Sequence, residues 1–231
     1  MPEQTRRRLL GAGAVLLGSA ALGLQEARPA GAVGAPRSDA DLDALAYGAH
    51  QLVLVTARTH RSTSGRLSTW ARREDRTWAQ RTPPEHAWPG VTGVAEPRDK
   101  REGDGRTPAG SYALPYAFGT RPDPRLSLRY RRITGPWDVW VDDPSDPHYN
   151  QWVDTRRVAA RSSESLPSYE YAAVIDYNTH PVVRGKGSAI FLHQSRGRPT
   201  VGCVSLPIPR LLRVLRWLDP AAAPRIAVTV G

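Results

Sequence analysis

Cys203 is the only cysteine among 231 residues, and it stands in Thr200-Val201-Gly202-Cys203-Val204-Ser205-Leu206. His193 lies ten positions upstream, at the end of the apolar run Ala189-Ile190-Phe191-Leu192. A free thiol, with a pKa near ~8.5, is only a few per cent thiolate at neutral pH, and a neighbouring imidazole raises that fraction. A lone thiol beside a histidine that emerges from a buried strand reads as a nucleophile and its base. The plain alternative is a small buried core thiol, the usual state of a single cysteine. Gly202 has no side chain, so the backbone is free to kink and aim amides near Cys203 at a developing oxyanion. A zinc site using His193 and Cys203 needs more ligands at short spacing, and no Cys-x-x-Cys or His-x-x-x-His occurs. His50, His60, His86, His148 and His180 have no motif around them and read as structural or exposed.

The elements that must position this pair are mostly short strands. Gln51–Ala57 is a compact β-branched run, and Leu67–Trp70 with Thr77–Gln80 around a polar turn reads as a hairpin. Further strands are predicted at Ser111–Leu114, Leu128–Ile133, Trp137–Val141, Glu170–Tyr177, Ala189–His193, Val204–Leu206 and Arg225–Val230. The 21 prolines and 20 glycines leave little room for long helices. One helix is predicted: Pro207 and Pro209 mark its first turn, Leu211, Leu212, Leu215 and Leu218 recur at helical spacing, and Asp219-Pro220 ends it. The seven tryptophans read as core and cross-strand packing rather than as a saccharide platform. No internal repeat or second hydrophobic core is visible, so a single mainly β domain is expected over 51–231, preceded by a linker or loosely docked arm over 33–50.

The first residues read as an export signal. Arg6-Arg7-Arg8 precedes an Ala/Gly/Leu-rich run from Leu9 to Leu24, and Ala30-Gly31-Ala32 offers small residues to a peptidase. The paired arginines point to the Tat route, with 1–32 as the signal. The apolar run is short and broken by glycine, so no stable membrane span is expected after processing. Removing it takes away four arginines and two glutamates, lowering the net charge from +10 to about +8. Lys100 and Lys186 are the only lysines, and the arginines are scattered rather than clustered. That pattern argues against nucleic acid and for solubility plus attraction to an anionic surface, which for an exported protein is the cell wall.

Two motifs in order carry a resemblance. The stretch from Gly187 to Leu206 resembles the catalytic signature of the YkuD-type L,D-transpeptidases, a histidine followed after a spacer by Ser/Thr-His-Gly-Cys and a hydrophobic residue. Thr200, Gly202, Cys203 and Val204 match; Val201 stands where histidine is common, and Ser205 where asparagine or arginine is usual. Upstream, Arg101-Glu-Gly-Asp-Gly-Arg-Thr-Pro-Ala-Gly110 resembles the family's GDGxTPxG turn, and Trp140-Val-Asp-Asp143 resembles a neighbouring strand. The resemblance implies a β-sandwich or barrel-type domain with a short helix after the cysteine. It implies acyl transfer between peptidoglycan stem peptides, with Cys203 as nucleophile and His193 as base. Gly202 and the Gln194 carbonyl would support them, and Thr200 and Ser205 would contact substrate. No metal or organic cofactor is expected, and the protein is expected to act as a monomer in the wall. Two alternatives stay open: an L,D-carboxypeptidase with water as acceptor, and an inactive wall-binding domain of the same fold.

Overall fold

The structure, a computed structural model, describes residues 38–161 and 163–231. The Tat-type signal expected at 1–32 lies outside the described residues. No helix among the described residues is long and apolar enough to cross a membrane.

Two five-stranded sheets form the body. The first runs β3 (Trp78–Ala87), β2 (Gly65–Arg72), β1 (Gln51–Ala57), β15 (Arg225–Val230), β6 (Gly110–Ala113). The second runs β14 (Val204–Leu206), β13 (Phe191–Gln194), β12 (Ala172–Val174), β7 (Ala117–Gly119), β8 (Tyr130–Arg132). A three-stranded sheet has β9 (Asp138–Val141) between β10 (Trp152–Asp154) and β11 (Ser163–Ser165), and β4 (Val94–Ala95) pairs with β5 (Thr107–Pro108). The expected mainly β sandwich is what forms.

The two large sheets share the main core. Val53, Val55, Ile226 and Val228 of the first meet Ala173, Leu192, Val204 and Leu206 of the second. Helix α2 (Ile208–Trp217) seals this core with Leu211, Val214 and Leu215, and Leu218 follows them in. Pro209 sits in its first turn, where a missing N–H leaves nothing unsatisfied. The second sheet buries its other face too, against Trp140, Leu166 and Tyr169.

The arm expected over 33–50 is corrected in part. Residues Asp39–Ala46 form helix α1, with Ser38 Oγ accepting from the Asp41 amide (3.2 Å). Leu42 and Ala46 of α1 pack on Leu52, Leu54 and Ala227, the outer face of the first sheet. This explains why β1 is buried along its whole length and reads as a continuous apolar run rather than an alternating one. The predicted hairpin strand at Thr77–Gln80 also grows, to Ala87, through Pro83 and Pro84. It is an edge strand with register shifts against β2, where proline is tolerated.

Candidate active site

Strands β13 and β14 lie parallel, with Leu192 opposite Val204 and His193 opposite Ser205. Side chains alternate across a sheet, so Leu192 and Val204 enter the main core while Phe191 and Cys203 join the aromatic cluster on the other face. His193 and Ser205 follow that second face to its edge. There a cleft of about 490 Å³ opens, lined by His193, Cys203, Ser205, Gln194, Gly202 and Thr200 together with Glu164, Tyr169 and Arg196. All six residues expected at the site are brought together, from two strands and one intervening loop.

The thiol is held by backbone rather than by His193. It donates to the Ala189 carbonyl (3.3 Å), and the Phe191 amide donates to Sγ (3.3 Å). Ala189 adopts a left-handed φ of 52°, uncommon for a residue with a side chain, and its amide donates to Asn150 Oδ1 (3.2 Å). That local strain aims the Ala189 carbonyl at the thiol. Burial pushes the Cys203 pKa up to about 12, against the pull of the Phe191 amide. The resting Cys203 side chain is therefore a neutral thiol.

His193 is half-buried, with its Nδ1 2.7 Å from the Gln194 carbonyl oxygen. A carbonyl only accepts, so Nδ1 carries the proton and Nε2 presents a lone pair. Tyr169 packs edge-on against the ring, 5.1 Å between centroids. Burial lowers the His193 pKa to about 4, although the Gln194 carbonyl favours the charged form, and Arg196 adds to the depression. The Gln194 side chain is itself fixed, its Nε2 donating to the Ser168 carbonyl (3.0 Å) and its Oε1 accepting from the Tyr171 amide (3.3 Å).

Around the cysteine the chain is clamped. Gly202 has φ 145°, and a Cβ there would lie 3.2 Å from the Arg106 carbonyl oxygen, so glycine answers both strain and space. Its amide donates to Thr200 Oγ1 (3.1 Å), and that hydroxyl donates to the Cys203 carbonyl (2.7 Å). Thr200 thus uses its hydroxyl inside the protein, holding the Cys203 backbone. Ser205 is different. It is 1 % exposed, and its Oγ has no partner. Val201, where the resemblance looks for histidine, is 81 % exposed and lines the cleft.

The Gly103-Asp104-Gly105 turn stands far from Cys203 in sequence, and the fold brings Thr107, just after it, onto the Cys203 backbone. Thr107 Oγ1 donates to the Cys203 carbonyl (2.8 Å) and accepts from the Gly90 amide (2.8 Å). Asp104 accepts from Lys100 Nζ (2.8 Å) and from the Arg101 and Arg106 amides (2.8 and 2.9 Å). Burial pushes the Asp104 carboxyl up, but these donors outweigh it and hold its pKa below the ordinary value. Glu102 accepts from Tyr149 and Ser188 hydroxyls (2.5 and 2.7 Å) and also lines the cleft. Asp142 and Glu164 line it as well and were not singled out from sequence. Asp142 lay within a quoted motif; no pattern marked Glu164. Thr107→Val should leave the Gly90 amide unsatisfied and the Cys203 backbone short of one donor. A loss of about 1–3 kcal/mol in stability is expected, read by denaturant unfolding, together with slower acylation of Cys203.

Among the described residues, no group of three or more His, Cys, Asp or Glu is placed to hold a metal ion. No curated protein matches this sequence. The YkuD family, described as the L,D-transpeptidase catalytic domain, matches residues 58–229, a span that holds the Asp104 turn, His193 and Cys203. The chain belongs to the YkuD family of L,D-transpeptidase catalytic domains.

Proposed function

We propose that this chain cross-links peptidoglycan stem peptides by acyl transfer through a thioester on Cys203. The observation that carries the reading is the histidine tautomer: with Nδ1 committed to the Gln194 carbonyl, Nε2 keeps the lone pair of a base, and His193 lines the cleft together with Cys203. The donor is a tetrapeptide stem. His193 Nε2 takes the thiol proton as sulfur attacks the carbonyl before the terminal D-Ala, and returns it to the leaving amine. The Gly202 amide is committed to Thr200, so the Cys203 amide is the backbone donor assigned to the oxyanion. Ser205 Oγ, unpartnered in the cleft, is assigned to substrate. A side-chain amine of a second stem then attacks the thioester, forming the amide and releasing the thiol. Tat export through Arg6-Arg7, wall residence and monomeric action belong to the same proposal. Replacing both arginines with lysine should strand the protein inside the cell, scored by immunoblot of cell fractions.

The neutral resting pair has a pH consequence. His193 must be unprotonated to act, and burial lowers its pKa to about 4. The acid limb of kcat/KM is therefore expected near pH 4, and the thiol at about 12 supplies no alkaline limb near neutrality. A limb near pH ~6.5 would mean a solvated imidazole and a different resting site. The function itself is tested by mass spectrometry of muropeptides after incubation with the protein. Cross-linked dimers support transfer, tripeptides alone support an L,D-carboxypeptidase, and unchanged substrate sinks both.

A further inference from the structure

The cleft beside Cys203 carries two carboxylates, Asp142 and Glu164, that form no ion pair among the described residues. Asp142 Oδ1 is buried and has no hydrogen-bond partner. Glu164, brought alongside by the pairing of β11 with β9, accepts, among the described residues, from the Tyr169 hydroxyl alone (2.9 Å). Burial pushes the Glu164 pKa up and the nearby Asp142 carboxylate adds to it, while the Tyr169 hydroxyl and the Arg196 guanidinium oppose. The cations nearby leave them without a close partner: Lys100 is paired with Asp104, and Arg196 draws the Glu164 pKa down from a distance, but among the described residues neither Arg196 nor Arg198 forms an ion pair with either carboxylate. A buried carboxylate left unpaired is unfavourable, so the site favours a cation brought from outside. Ser205 supplies an independent sign of a ligand, a 1 % exposed hydroxyl that lines the same cleft and has no partner.

We propose that Asp142, Glu164 and Ser205 form the subsite for the primary amine of the acyl acceptor. The inference rests on the acyl-transfer reading and specifies its second half. An alkylammonium with a pKa of about 10.4 is free amine to only about four parts in ten thousand at pH 7, so an acceptor needs a base before it can attack. Asp142 holds the ammonium and Ser205 Oγ accepts one of its hydrogens. Glu164 takes one proton, leaving a neutral amine. Its nitrogen attacks the thioester carbonyl, the C–N bond forms, and the C–S bond breaks. His193 Nε2 takes the second nitrogen proton and passes it to the departing thiolate. The products are an amide, the Cys203 thiol and protonated Glu164, which returns its proton to water. Tyr169 ties the two bases together, its hydroxyl on Glu164 and its ring in T-shaped contact with His193.

The experiment first accumulates the acyl-enzyme from a tetrapeptide donor, scored by intact mass, and then offers two nucleophiles at pH 7. Nα-acetyllysine presents an ammonium; methoxyamine is a neutral amine at pH 7 that needs neither a counter-charge nor deprotonation before it attacks. Glu164→Gln is expected to lower the ratio of acetyllysine capture to methoxyamine capture about 100-fold, the scale of a lost general base. Asp142→Asn is expected to lower it as well and is read in parallel, so that a folding defect at one position leaves the other to decide. A ratio equal to wild type in either folded variant overturns the subsite while leaving the thioester intact. A wild-type protein that never gains the acyl mass overturns the acyl-transfer reading, and this inference with it.

Discussion

Cys203→Ala is expected to leave a folded protein with no acyl transfer at all. The residue is 7 % exposed in a cluster with Phe118, Phe191 and Tyr169, so removing one sulfur opens only a small void, of about 1 kcal/mol. The chemistry, in contrast, has no substitute nucleophile, since the chain holds no second thiol. Turnover on a tetrapeptide donor should fall to the uncatalysed background, measured as D-Ala release. The melting temperature should move by only a few degrees. A variant that keeps even a tenth of wild-type turnover would remove the thiol from the mechanism.

His193→Ala carries the second large effect. An exposed thiol retains some thiolate without help, but burial pushes Cys203 up to about 12. At pH 7 the spontaneous thiolate fraction is then on the order of 10⁻⁵, and attack depends on a base in contact. Loss of 10²–10⁴-fold in kcat/KM is expected. The double variant should be barely worse than Cys203→Ala alone, because the two side chains act as a unit. Near wild-type turnover in His193→Ala would rule this base out. His180, the next histidine in sequence, is exposed and does not line the cleft, so it offers no ready replacement.

How far the sequence reaches is clearest at particular residues. Strand β1 and helix α2 are legible because local pattern decides them: a β-branched run, and leucines at helical spacing behind a proline. His193 and Cys203 are legible because strand alternation and a glycine kink are local too. The Thr107 clamp on Cys203 is not, since its partners are 96 residues apart and meet only through tertiary packing. The same holds for Asp142 and Glu164, which become neighbours when β11 pairs with β9. Helix α1 did leave a signal, Ser38 ahead of Asp39 and Asp41 as an N-terminal cap with first-turn acids, but its eight residues were outweighed by the small polar residues around them.

Acylation of Cys203 is the step on which everything else depends. Intact-mass measurement of the purified protein after brief exposure to a disaccharide-tetrapeptide tests it directly. One added acyl group, equal to the donor less D-Ala, is expected on Cys203, with none on Cys203→Ala and slow accumulation on His193→Ala. A wild-type protein that stays unmodified and releases no D-Ala would contradict the thioester mechanism.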